Sequence, residues 1–215
     1  MKRIYLLMTL VCMVIVSCKP DGGDDGYSDG GDNNNVYEYV DLGLSVKWAT
    51  CNVGANSPEG YGYYFTWGET TAKKTYNQDN CIINGLTKSE LQAQGYIDEA
   101  GNLLPQYDAA TANWGGEWRM PTEAELDELN TKCTWTWELN GYKVMGPNGN
   151  SIFLPAAGVR YESSLVYAGS NGVYWGSTSC EGDDDQACGI SFHIDDHYMG
   201  SSRCFYGRSV RPVVE

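Results

Sequence analysis

A chain of 215 residues with 28 acidic and 14 basic side chains carries a formal charge of −14, which repels phosphate backbones and excludes nucleic-acid binding through a basic footprint. Hydrophobic residues make up 42%, enough for a core, so wholesale disorder is excluded as well. Two histidines in the whole chain give imidazole catalysis and His-rich metal sites little to draw on.

Residues 1–17, MKRIYLLMTLVCMVIVS, begin with Lys2 and Arg3 and continue as an apolar run from Ile4 to Val16. That run falls short of the ~20 residues a spanning helix needs and predicts a signal peptide. Ile15-Val16-Ser17-Cys18 resembles the bacterial lipobox, which implies lipidation of Cys18 and anchoring of the mature protein in a membrane by its acyl chains. Residues 18–36 then hold five aspartates and three asparagines with a single tyrosine. Such a stretch has too little apolar surface to offset its ordering entropy, and it predicts a flexible acidic Gly/Asp tether. KPDGGDD, just after the lipidated cysteine, resembles the acidic export signal of Bacteroidetes surface lipoproteins, although ordinary linker solvation accounts for it equally well. The resemblance implies an outer-membrane lipoprotein displayed at the cell surface.

From Val36 onward aromatic and aliphatic residues return, so the tether gives way to one domain over 37–215. Apolar or alternating runs predict strands at 37–42, 44–50, 62–66, 142–145, 151–154, 173–177, 187–194 and 203–214. Helix signals are few. Thr122 and Glu125 form a capping box after Pro121 and open EAELDELNTK, with Leu126 and Leu129 on one face. YDAATA at 107–112 follows a potential cap at Asp108, and TKSELQAQG at 87–95 closes on a glycine. The pattern predicts an α+β fold: a twisted antiparallel sheet, two or three short helices and long irregular loops.

Several segments form a recognisable set: DLGLSVKWATCNVGA (41–55), YGYYFTWGET (61–70), YDAATANWGGEWRMPTEAELDEL (107–129), CTWTW (133–137), NGYKVMGPNGNSIFLPAAGVR (140–160), VYWGSTS (173–179) and GRSVRPV (207–213). In order and spacing they resemble the Fibrobacter succinogenes major paralogous domain over essentially all of 37–215. WRMPTEAEL and the closing SVRPV are also similar to segments of formylglycine-generating enzymes. The resemblance implies a C-type-lectin-like fold, with N- and C-terminal strands paired and irregular loops on one side. Trp118, Pro121 and Leu126 would then be structural, and Trp48, Trp67, Trp114 and Trp175 core.

Formylglycine-generating enzymes bind copper through a close cysteine pair near the C-terminus. Here Cys180, Cys188 and Cys204 lie eight and sixteen positions apart, so that catalytic pair does not carry over. No nucleophile elbow or phosphate-cradling glycine loop is present either, and no enzyme is expected. HIDDH at 193–197 would place His193, Asp195 and His197 on one face if it continued as a strand, a possible metal set; a hairpin turn there would splay them apart. The acidic loop EGDDDQ at 181–186 offers Asp183, Asp184 and Asp185 to a structural calcium ion, or is simply a solvated turn; no other cofactor is implied. Tyr161 and Tyr167, with Arg160 as a hydrogen-bonding fork, flank the polar stretch 159–172 where lectin-like folds carry a variable loop. These three are candidate contacts to an extracellular glycan or protein.

After removal of Cys12 and lipidation of Cys18, six cysteines remain for an oxidising compartment. A hairpin of 187–194 with 203–210, centred near residue 196, would set Cys188 opposite Cys204; Cys180–Cys188 is the competing pair. Cys51–Cys133 rests only on both lying in family motif segments. The expected function is ligand binding at the cell surface through loops 159–172 and 180–187. The alternatives are a structural or accessory subunit of a surface assembly and, third, an enzyme of unknown reaction.

Overall fold

The computed structural model describes residues 37–180 and 185–215; the expected signal peptide, Cys18, the expected tether, and Asp183 and Asp184 lie outside the described residues. Short strands run through the fold: β1 (Tyr39–Val40), β2 (Lys47–Ala49), β3 (Thr134–Glu138), β4 (Gly141–Met145), β5 (Ser151–Pro155), β6 (Val159–Tyr161), β7 (Ser164–Val166), β8 (Asn171–Ser179), β9 (Gln186–His193), β10 (Asp196–Arg203) and β11 (Val213–Val214). The helices are α1 (Lys88–Ala93), α2 (Ala109–Trp114) and α3 (Glu123–Lys132). The architecture is α+β, and every strand ladder is antiparallel.

Instead of one twisted sheet, the strands form four small ones, ordered β1-β2-β11, β3-β4-β5, β6-β7 and β8-β9-β10. The pairing of chain ends holds: Val213 faces Trp48 across β2 and β11. The expected strand 203–214 divides, because its first residue ends β10 and its last two form β11 while the intervening turn crosses between them. The expected strand 62–66 is reduced to a single bridge, Phe65 to Arg208.

Helix α3 forms where the capping box places it. Thr122 Oγ1 accepts from the Glu125 N–H at 3.3 Å, and Glu125 Oε2 accepts from the Thr122 N–H at 2.8 Å. Both bonds satisfy amide donors that a bare helix start would leave orphaned. Its buried Leu126 and Leu129 pack on the β8-β9-β10 sheet. There they join Trp48, Val144, Ile190 and Phe192 in one core cluster. A second cluster, on Phe65, Trp67, Ile83, Trp175 and Phe205, fills the space under the long loops. Trp48, Trp67 and Trp175 are buried as expected, whereas Trp114 and Trp118 are only half-buried. Trp114 stacks on Tyr37 at 3.9 Å and meets Trp118 edge-on at 5.1 Å.

Arg211 ties separate sheets together. Its fully buried guanidinium donates to Asn52 Oδ1, to the Ala49 and Thr50 carbonyls, and to the Phe153 carbonyl, at 2.8–3.0 Å. It thereby joins the end of β2 to β5 through neutral acceptors.

Candidate functional site

The two loops expected to carry a ligand meet on one short segment, residues 203–207, between β10 and the crossing back to β11. On one side the Cys204 N–H donates to the Asp185 carbonyl at 2.8 Å, where the acidic loop ends. On the other, Arg160 and Gly207 exchange both backbone hydrogen bonds, at 2.8 and 2.9 Å. That approach needs a residue without a side chain: a Cβ on Gly207 would lie 2.6 Å from the Tyr76 ring and 2.9 Å from Arg160 Cβ.

This segment supports an aromatic platform. Tyr161, at the tip of the β6-β7 hairpin, is 46% exposed; its ring lies 5.5 Å from that of Tyr206 and 6.2 Å from that of Phe205. Phe205 and Tyr206 are 4.6 Å apart. Phe205 is buried and Tyr206 half-buried, so an inner ring braces two outer ones. Tilted contacts at these separations are the favoured aromatic geometry. Beside Tyr161, Glu162 exchanges backbone hydrogen bonds with Tyr76, and its carboxylate accepts from Asn77 Nδ2 at 2.9 Å. Arg203, half-exposed, stands 3.9 Å from Asp185.

Beneath the platform the groups are held rigidly. The Tyr76 hydroxyl donates to the Tyr64 carbonyl at 2.7 Å, and the Tyr64 hydroxyl to the Ala157 carbonyl at 2.6 Å. Burial pushes both phenols above their ordinary range, so they act as neutral donors. Arg208 lies 4.3 Å over the Trp175 ring and donates to Ser202 Oγ. Burial pulls its guanidinium down to about 10, which still leaves it charged at neutral pH.

The structure distributes the three expected ligand contacts. Arg160 and Tyr161 are neighbours in one strand and face opposite ways; the Arg160 guanidinium sits 5.2 Å over the Tyr64 ring. Tyr167 is 67% exposed in a left-handed conformation at the far end of β7, about 10 Å along the strand from the hairpin tip. Tyr161 alone of the three belongs to the platform. Phe205 and Tyr206 were not expected there, because CFYG reads as part of a continuous strand; the aromatic pair followed by a glycine was the available sign of a turn.

Other expectations fall differently. The turn of the β9-β10 hairpin is Ile194-Asp195, and His193 pairs with Asp196 while His197 pairs with Phe192. The two histidines therefore face opposite sides. His197 stacks on Trp135 at 4.5 Å and bonds Asn130 Oδ1 through Nδ1 at 2.8 Å. Among the described residues no three His, Cys, Asp or Glu side chains are grouped to hold a metal. Of the proposed calcium ligands Asp185 is the described one. The same hairpin register sets Cys188 opposite Ser201, not Cys204, because the second strand begins at residue 196. Cys51, Cys133, Cys188 and Cys204 are all thiols. Cys51 lies beside Thr50 at the end of β2, and Cys133 ends α3 against the core.

A separate groove of about 370 Å³ is walled by Thr50, Glu59, Glu138, Leu139, Lys143 and Phe153, among others. Leu139, in the left-handed turn between β3 and β4, is 88% exposed at its rim. Comparison of the chain with protein-family models, curated proteins and solved structures finds no match.

Proposed function

We propose that this is a surface-anchored bacterial lipoprotein whose C-type-lectin-like domain binds an extracellular glycan through the platform of Tyr161, Phe205 and Tyr206. The convergence of the two loops on residues 203–207, with Tyr161 exposed above buried Phe205, carries this reading. Pyranose rings present a C–H face that packs on a tyrosine ring and hydroxyls that bond amides and carboxylates; Asn77 and Glu162 supply such groups beside Tyr161. A domain in a chain of formal charge −14 favours a neutral polyhydroxyl ligand over an anionic one.

Glycan-array binding by the purified domain, with and without EDTA, tests ligand and calcium together. Binding is expected to fall at least tenfold in Tyr161→Ala and Tyr206→Ala, and to survive in Tyr167→Ala. Equal binding by the first two variants and wild type would exclude the platform. A second reading, an accessory subunit of a surface assembly, is favoured by Leu139: so exposed an apolar side chain beside a groove suits a protein partner. Leu139→Asp would then abolish co-purification of that partner and leave glycan binding unchanged.

A further inference from the structure

Beyond Ser179, which pairs with Ala187 across the β8-β9 hairpin, the Cys180 N–H donates to the Gln186 carbonyl at 3.1 Å. Gln186 is thus the rung opposite Cys180, and Cys188 lies two residues further along β9. Alternation puts Cys180 and Cys188 on one face of the hairpin as a diagonal cross-strand pair. The ladder is irregular between Trp175 and Ser179, beside Cys188, and bulges of this kind increase local twist. The neighbouring Cys180 thiol is the largest influence that raises the Cys188 thiol. Cys188 is buried and Cys180 half-buried.

We infer that Cys180 and Cys188 are an oxidation site, joined as a disulfide by exchange with a disulfide-bearing oxidant. The half-buried Cys180 thiolate attacks the oxidant and releases one thiol. Cys188 then attacks the mixed disulfide at the Cys180 sulfur and releases the second. Two S–H bonds break and one S–S bond forms; the electron pair goes to the oxidant, which leaves as two thiols carrying the two protons. Cys180, burial and Glu123 together hold Cys188 far above the ordinary thiol range, which suits the second, intramolecular step and not a first attack from solvent.

The bond would close the acidic loop at its base. The carbonyl of Asp185 in that loop receives the Cys204 N–H, so the bond also braces the 203–207 turn. Cys204 itself follows β10, and its thiol is raised first by burial in the core cluster it shares with Cys81, then by Cys81, Asp185 and Cys180.

The test is peptide mapping of the full chain after incubation with oxidised glutathione. Alkylation of remaining thiols is followed by cleavage at the loop aspartates, so that the Cys180 and Cys188 peptides stay together only through an S–S bond. The expected result is a linked Cys180–Cys188 peptide that separates on reduction and is missing in Cys180→Ser. Recovery of both cysteines alkylated, or of Cys188 linked to Cys204 or to any other cysteine, would overturn the inference. Mapping reads the bond directly, so its outcome is independent of whether the platform binds a glycan.

Discussion

Arg211 gives the sharpest test of how the sheets are held together. Replacing it with methionine keeps much of the volume and the apolar stem but leaves four acceptors without their donors. The bonds to Asn52 Oδ1 and the Ala49 carbonyl are fully buried; leaving such groups unpaired costs about 1–3 kcal/mol each. The Thr50 and Phe153 carbonyls are partly buried and can recover water. Against this stands the relief of a desolvated charge, and buried ions are sometimes replaced by apolar residues without loss. Here the acceptors are neutral carbonyl and amide oxygens fixed by strands, so they stay unpaired when the guanidinium goes. A net loss of about 4 kcal/mol follows from two buried orphans, out of a typical total of ~5–15 kcal/mol. With a urea slope of about 2 kcal/mol/M, the midpoint should fall by about 2 M. Arg211→Lys keeps the charge but concentrates its donors on one nitrogen, which cannot span β2 and β5, so its midpoint should lie between the two. Tryptophan fluorescence in urea reads all three, since Trp48 lies in this core. A methionine variant within 1 kcal/mol of wild type would refute the reasoning and show that desolvation cancels the four bonds.

Three further outcomes are expected. Burial acts to raise the Glu125 carboxyl, but the paired hydrogen bonds from Arg119 and the Thr122 amide outweigh it and hold the group below its ordinary value. Its stabilisation is therefore present above pH 4.5 and lost as pH falls through the folded value; Glu125→Gln should cost about 1–2 kcal/mol at neutral pH and flatten the acid limb of a stability-versus-pH curve, and an unchanged limb would contradict this. Burial lowers His197 below 6.5, and Asp196 only partly offsets it. The folded state then holds the proton less tightly than the unfolded one, so stability is lost as pH drops below 6.5; NMR titration should place its midpoint below 6.5, and a higher midpoint would show that burial does not dominate at this ring. A Cβ on Gly172 would fall 1.9 Å from the Phe192 ring, which is itself packed among Tyr142, Tyr174 and Trp135; Gly172→Ala should lower thermal stability by about 1–3 kcal/mol, and a neutral effect would show that the ring can move.

Local signals were legible where local bonds decide the structure. Helix α3 follows from Thr122, Glu125 and the Leu126/Leu129 spacing, and α2 starts at Asp108, whose side chain accepts from the Thr111 N–H at 2.9 Å. Strand β10 was missed because DHYMGSSR has no β-branched residue and reads as a loop; it is a strand because β9 supplies a complete ladder of partners. That misplacement shifted the hairpin centre and set Cys188 against the wrong residue. At the site, Tyr161 was legible as an aromatic beside a polar stretch. The burial of Phe205 beneath it depends on contacts far apart in sequence, which no local pattern reports. The contact of Arg160 with Tyr64 was not legible, because a strand segment does not reveal which of its faces meets that ring.

The pairing of Trp48 with Val213 sets the order of events in synthesis. β2 lies at the centre of its sheet, and it gains its second neighbour only after 165 further residues have been added. Arg211, which locks the same region, arrives with that neighbour. Until then a growing chain holds Trp48 and the Ala49 and Thr50 carbonyls without their permanent partners, and contacts this distant form slowly. The sheet that β2 centres is thus completed by the last strand of the fold, so its stability reports on the whole domain and not on any shorter piece of it.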